Sequence, residues 1–171
     1  MVEREPSSSE RPSSERLRFR EMTIDDLDAM SDLLGDPEVM AHYPRPKTRA
    51  EAQAWVEWNL ANYARDGFGL WIIEDLEGRF VGDCGLTWQR VEGREDLEIG
   101  YHVVPAMQGR GLASEGARAC RELARRRGIE RLIAIVHPDN RASQRVAEKC
   151  GLVLEQEFGD QRFRVYAAAL P

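Results

Sequence analysis

Gly109, Gly111 and Ala113 fall where an apolar strand, Leu97 to Val104, gives way to an amphipathic helix read as 109–127. The first turn of a helix presents N–H groups without internal partners and the positive end of the macrodipole, so such a junction can hold an anion. Small residues there let the main chain come close to a phosphate. The stretch from Val103 to Ser114 therefore reads as the seat of a phosphorylated cofactor. Two other residues bear on chemistry: Glu98 interrupts the apolar strand, and Asn140 is placed to cap a short helix that reaches about Cys150.

Several anions would suit the junction. Gly109-Arg110-Gly111-Leu112-Ala113-Ser114 partly matches the dinucleotide fingerprint, but Ser114 stands where a third Gly or Ala belongs. A dinucleotide site also needs an acid at the end of the following strand, and only Glu130, at its beginning, is offered. No second βαβ half is present. A Walker loop fails for want of a Gly-Lys-Ser/Thr.

The elements that must position these residues follow from periodicity and punctuation. Residues 1–15 combine Ser, Pro, Glu and Arg with almost no apolar side chains and read as a disordered tail; 16–171 read as one domain. Leu17 and Phe19 alternate with arginines as a short strand. Thr23 caps a first helix to about Leu34, and Thr48 caps a second, with Ala52, Trp55, Val56, Asn59 and Tyr63 on one face. Strands follow at 70–73 and 80–88, around a Glu77-Gly78 turn. After the 109–127 helix, Leu132 to Val136 is apolar throughout, as in a strand buried on both faces. Strands at about 152–158 and 162–169 close a β-α-α-β-β-β-α-β-α-β-β order. Strands 97–104 and 132–136 should be parallel, joined by a right-handed crossover.

Bulk properties narrow the partners. No apolar run approaches the roughly 18 residues of a membrane span, so no membrane is expected. A net charge of −6 disfavours nucleic acid and favours a cationic substrate. Cys84, Cys120 and Cys150 are odd in number and scattered, which suggests reduced thiols in a cytoplasmic protein.

Gln108-Gly109-Arg110-Gly111-Leu112-Ala113 resembles the acyl-CoA-binding motif of the GNAT superfamily of N-acetyltransferases, Gln/Arg-x-x-Gly-x-Gly/Ala. Asn140-x-x-Ser143-x-x-Val146-x-x-Lys149-Cys150-Gly151-Leu152 is similar to the family's next motif. Leu97-Glu98-Ile99-Gly100-Tyr101 resembles the strand entering the pyrophosphate loop in the RimJ/RimL-like branch. The implied fold is α/β (α+β): a mixed central sheet of about seven strands, with helices on both faces and a V-shaped splay opened by a bulge in strand 97–104.

The resemblance also implies chemistry. Pyrophosphate would rest on main-chain N–H groups from Gly109 to Ser114 (Gly109, Arg110, Gly111, Leu112, Ala113 and Ser114), with Gln108 flanking and Arg110 either on a phosphate or in solvent. The Val103 N–H would meet the thioester oxygen, where a fixed dipole aids developing charge. Glu98 matches the branch's acidic position and would serve as general base through water, since an amine must be neutral to attack. The family's usual acid, a Tyr, is replaced by Ala147, which leaves Ser143 as proton donor or no dedicated acid. Asn140 would cap its helix, bind the cofactor arm, or both. His42 to Pro46, with Trp88 and Tyr166, would border the acceptor.

The function so implied is acetyl-CoA-dependent, metal-free acetylation of a primary amine, either a protein N-terminus or a small molecule. The alternative is a catalytically silent acyl-CoA sensor or interaction module. Homodimers are frequent in the family.

Overall fold

A computed structural model of the chain describes residues 10–171. The first nine residues of the expected tail lie outside the described residues. Residues 10–15 form no helix or strand; Pro12 is buried and Glu10 accepts from Arg126 Nε at 2.7 Å.

The elements run β1 (Arg18–Arg20), a 3-10 turn (Ile24–Asp26) leading into α1 (Leu27–Gly35), α2 (Arg49–Asp66), β2 (Leu70–Glu74), β3 (Phe80–Val91), β4 (Arg94–Val103), a 3-10 turn (Pro105–Met107), α3 (Leu112–Arg126), β5 (Arg131–Val136), α4 (Arg141–Lys149), β6 (Val153–Phe158) and β7 (Phe163–Ala169). Thr23 and Thr48 cap as their types dictate, each in a reciprocal capping box, with Asp26 and Glu51. The seven strands form one sheet in the order β1-β2-β3-β4-β5-β7-β6. Only β4 and β5 are parallel, so the sheet is mixed.

Neighbouring residues of a strand point to opposite faces, and β3 shows what covers each. Cys84 touches Cys120 of α3, with the sulfurs 3.7 Å apart, whereas Asp83 accepts from the Trp55 indole of α2. Helices therefore lie on both faces. The α3 face is lined by small residues, and a Cβ on Gly116 would stand 3.1 Å from the Cys84 sulfur. On the other face, buried Asn59 Oδ1 accepts from the Leu70 N–H at 2.8 Å, and the Tyr63 hydroxyl accepts from Met22 N–H and donates to Leu70 C=O. These side-chain ties fix α2, and so Trp55, against the start of β2.

Three details differ from the sequence expectation. The long helix begins at Leu112, not at Gly109, because Gly109 and Gly111 adopt left-handed backbone (φ 74° and 78°) that a helix cannot accommodate. The β3–β4 hairpin reaches Val91 and Arg94 around Glu92-Gly93; both turn residues have positive φ, as a two-residue hairpin of matching twist requires. The bulge expected in strand 97–104 is absent. β3 and β4 stay in continuous register from Gly82↔Val103 to Val91↔Arg94.

Candidate active site

The splay arises from unpairing. β4 and β5 pair only at Leu97↔Leu132 and Glu98↔Ile133, after which β4 stays with β3 and β5 with β7. The Val104 N–H donates to Val81 C=O at 2.9 Å. Because N–H directions alternate along a strand, the N–H of Val103 points the other way, into the gap. Gln108 does not hang free beside the loop; its amide Nε2 donates to Val103 C=O at 2.9 Å and ties the loop to the strand end.

Beyond that tie the backbone turns its donors outward. Among the described residues, no protein acceptor is bonded to the N–H groups of 109 to 114; Glu115 N–H is the first to bond within the helix, to Gly111 C=O at 3.0 Å. A Cβ on Gly109 would meet nothing within 4 Å, so the loop's outer side is open. Six consecutive unpaired amides at a helix start fit a diphosphate. The Arg110 side chain is exposed and folds onto Ala106 C=O at 3.2 Å.

Glu115, in the first turn of α3, would repel such a ligand if left alone. Arg16 neutralises it: its N–H and Nε donate to the carboxylate at 2.7 and 2.6 Å, and its Nη1 holds Arg110 C=O at 3.0 Å. Burial raises the Glu115 carboxyl, but these Arg16 contacts outweigh it and hold the group below its usual range. Arg16→Ala should therefore weaken coenzyme A binding about two- to fivefold, the size of a charge effect at a helix end. Titration calorimetry checks this, and the difference should shrink at high salt.

Glu98 occupies the mouth of the splay. Its carboxylate accepts from the Ile135 N–H, a donor that β4 would have satisfied had the two strands stayed paired. Burial pushes the Glu98 carboxyl up to about 7, against the lowering effects of that hydrogen bond and of His102. A carboxyl poised near neutrality suits general base work.

On the α3–α4 side of the gap, Ser143 Oγ lies 2.7 Å from the Tyr101 hydroxyl, which also reaches Ser143 C=O at 3.0 Å. Asn140 Oδ1 accepts from Ser143 N–H at 3.1 Å, so Asn140 caps α4. Ala147 is buried. Trp88 and Tyr166 do not join the His102 face of the sheet. Trp88 shares the α3 face of β3 with Cys84 and packs on Phe68 (centroids 6.4 Å apart), while Tyr166 is buried in the core.

The opposite face carries a group that sequence reasoning missed. Asp83 Oδ1 is 2.7 Å from His102 Nδ1, and His102 Nε2 is 2.8 Å from the Tyr43 hydroxyl. Trp55 Nε1 donates to the other Asp83 oxygen at 3.1 Å. Glu98, Gly100 and His102 alternate onto this face of β4. The signal was available: Asp83 and His102, like Glu98, are polar residues inside strands of mostly apolar neighbours. Within the expected acceptor border, Tyr43 joins this group, and the His42 ring packs against His137 with centroids 5.6 Å apart.

Comparison with known proteins follows the same lines. A family model described as an Acetyltransferase (GNAT) domain matches residues 16–153. The uncharacterized protein YkkB of Bacillus subtilis is 39% identical over 142 residues, covering 81% of this chain and 83% of YkkB. The solved acetyltransferase from Agrobacterium tumefaciens superposes with a TM-score of 0.83 at 26% identity, covering 98% of this chain and 99% of its own. The ribosomal L7/L12 alpha-N-protein acetyltransferase RimL, solved with coenzyme A, shares the fold at a TM-score of 0.74 and 23% identity, over 93% and 97% of the two chains.

Proposed function

The chain belongs to the GNAT acetyltransferases, enzymes that use acetyl-CoA, and we propose that it acetylates a primary amine directly, within a ternary complex, as a RimJ/RimL-like member. One observation carries this reading: β4 and β5 part after Glu98↔Ile133, and Gln108 ties the Val103 C=O to the loop whose amides 109 to 114 are unpaired. The strand motif Leu97–Tyr101 supports the branch, and the three free buried cysteines support a cytoplasmic setting.

The amides of Gly109, Arg110, Gly111, Leu112, Ala113 and Ser114 hold the diphosphate, and the thioester reaches back along the gap. The Val103 N–H faces the thioester oxygen, where negative charge grows during attack; one such donor is worth roughly 10²–10³ in rate. Glu98, through a water, takes the proton that an ammonium must lose before it can attack. Ser143, held by Tyr101, gives a proton to the leaving thiolate and is reprotonated from solvent once the products leave.

The acceptor is an amine that enters from the His102 face. An α-amine, titrating near ~8, is deprotonated more readily than a lysine near ~10.4, so protein N-termini and small α-amines fit the Glu98 base best. The base must be ionised, so kcat/KM should rise with pH through about 7. Release of free thiol, measured against alkylamines, amino acids and N-terminal peptides, tests the proposal. Amine-dependent release supports it; coenzyme A binding without release for any amine would instead mark a silent sensor.

A further inference from the structure

Acetylating an ammonium requires the nitrogen to shed two protons, one before attack and one as the amide forms. Glu98 accounts for one of them. Resting on the reading of the chain as an amine acetyltransferase, we infer that Tyr43 contacts the acceptor nitrogen and passes the second proton to His102, with Asp83 as the residue that positions the imidazole.

The hydrogen bonds dictate this polarity. Asp83 is wholly buried, and its two oxygens accept from Trp55 Nε1 at 3.1 Å and face His102 Nδ1 at 2.7 Å. A carboxylate only accepts, so Nδ1 carries the hydrogen, and in the neutral imidazole Nε2 keeps its lone pair. That lone pair receives the Tyr43 hydroxyl at 2.8 Å. Tyr43 is 43% exposed while its hydroxyl bonds to His102, so the residue links solvent to the buried imidazole. Burial, with the charges of Glu98 and Asp83, pushes the phenol up, which keeps Tyr43 neutral and suits it to relay a proton rather than to hold a charge. Gly100 stands between Glu98 and His102 on the same strand face and puts no side chain between them.

In the step itself, a proton leaves the acetylating nitrogen for Tyr43 Oη while the phenolic proton moves to His102 Nε2. The N–H electron pair stays on nitrogen, the phenol is regenerated, and the imidazolium rests against ionised Asp83 until it returns its proton to solvent. Burying a carboxylate is costly unless it is fully paired. A group with only a packing duty would be served more cheaply by apolar residues.

The charged and titratable groups facing His102 are Asp83 from β3, Glu98 from β4 and Tyr43 from the segment between α1 and α2; α2 contributes neutral Trp55. The test compares Tyr43→Phe, Asp83→Asn and Glu98→Gln with the unaltered protein, using an amine that the latter acetylates. Tyr43→Phe keeps the exposed ring, and an unchanged melting shift with acetyl-CoA reports that it is folded. We expect kcat to fall about 10²-fold in Tyr43→Phe with KM for acetyl-CoA unaltered. The acid limb of its kcat/KM profile should drop from two ionisations to one, and Asp83→Asn should follow it. A Tyr43→Phe variant with full kcat and an unaltered acid limb would overturn the relay. If Glu98→Gln were inactive in the same experiment, the Glu98 reading would survive that failure. An unaltered protein that releases thiol with no amine would overturn both.

Discussion

Glu98→Gln should lose about 10²-fold or more in turnover while binding acetyl-CoA as before, because the change removes a proton acceptor and leaves the amide cradle untouched. Gln keeps an oxygen for the Ile135 N–H, so the splay should hold its shape. The carboxyl proposed as the base also costs stability. Its value of about 7 in the folded protein lies above the ordinary 4.5, so the folded state holds this proton more tightly than the unfolded one. Stability from this group is therefore full below about 4.5 and declines as pH rises through about 7. Above that, ionised Glu98 costs about 3 kcal/mol. Glu98→Gln should accordingly melt higher than the unaltered protein at pH 8 and alike at pH 4.5. Equal melting temperatures at both values would show that the carboxyl is solvated and poorly suited to its role.

Gly109→Val should weaken coenzyme A binding by about 10²-fold while leaving a folded protein. A β-branched residue at φ 74° costs roughly 1–2 kcal/mol, and relief of that strain re-aims the amides on either side. Each charge-assisted N–H bond to phosphate is worth about 1.5–3 kcal/mol, so losing even two accounts for the fall in affinity. Nothing lies within 4 Å of the added Cβ, so the core is not disturbed. Calorimetry with coenzyme A and a melt without it separate the two effects. Undiminished affinity would show that the phosphates rest elsewhere.

Much of this was legible in the chain because local chemistry dictated it. Caps at Thr23 and Thr48, the small residues before α3 and the apolar run of β5 each have a cause within a few residues. The strand-to-helix junction was legible for the same reason, although Gly109 and Gly111 are left-handed loop residues ahead of the helix. What escaped were relations between distant elements. The hairpin's far end, Gln89 to Asp96, has Val91 as its one large apolar side chain and exposes Glu92 to Glu95, so apolar alternation stopped short of its true length. The expected bulge was a stand-in for a splay that actually comes from two strands choosing different partners. Asp83, His102 and Tyr43 are joined only by tertiary packing, and no spacing rule links residues 43, 83 and 102. Being aromatic says nothing about which face Trp88 occupies; strand parity does.

The most direct measurement follows the backbone amides of 109 to 114 by NMR during titration with coenzyme A and, separately, with pantetheine, which lacks the diphosphate. Anchoring of that diphosphate by the loop means that coenzyme A shifts these resonances downfield at saturation and that pantetheine leaves them in place. Perturbations that avoid this stretch, or that match for the two ligands, would contradict it.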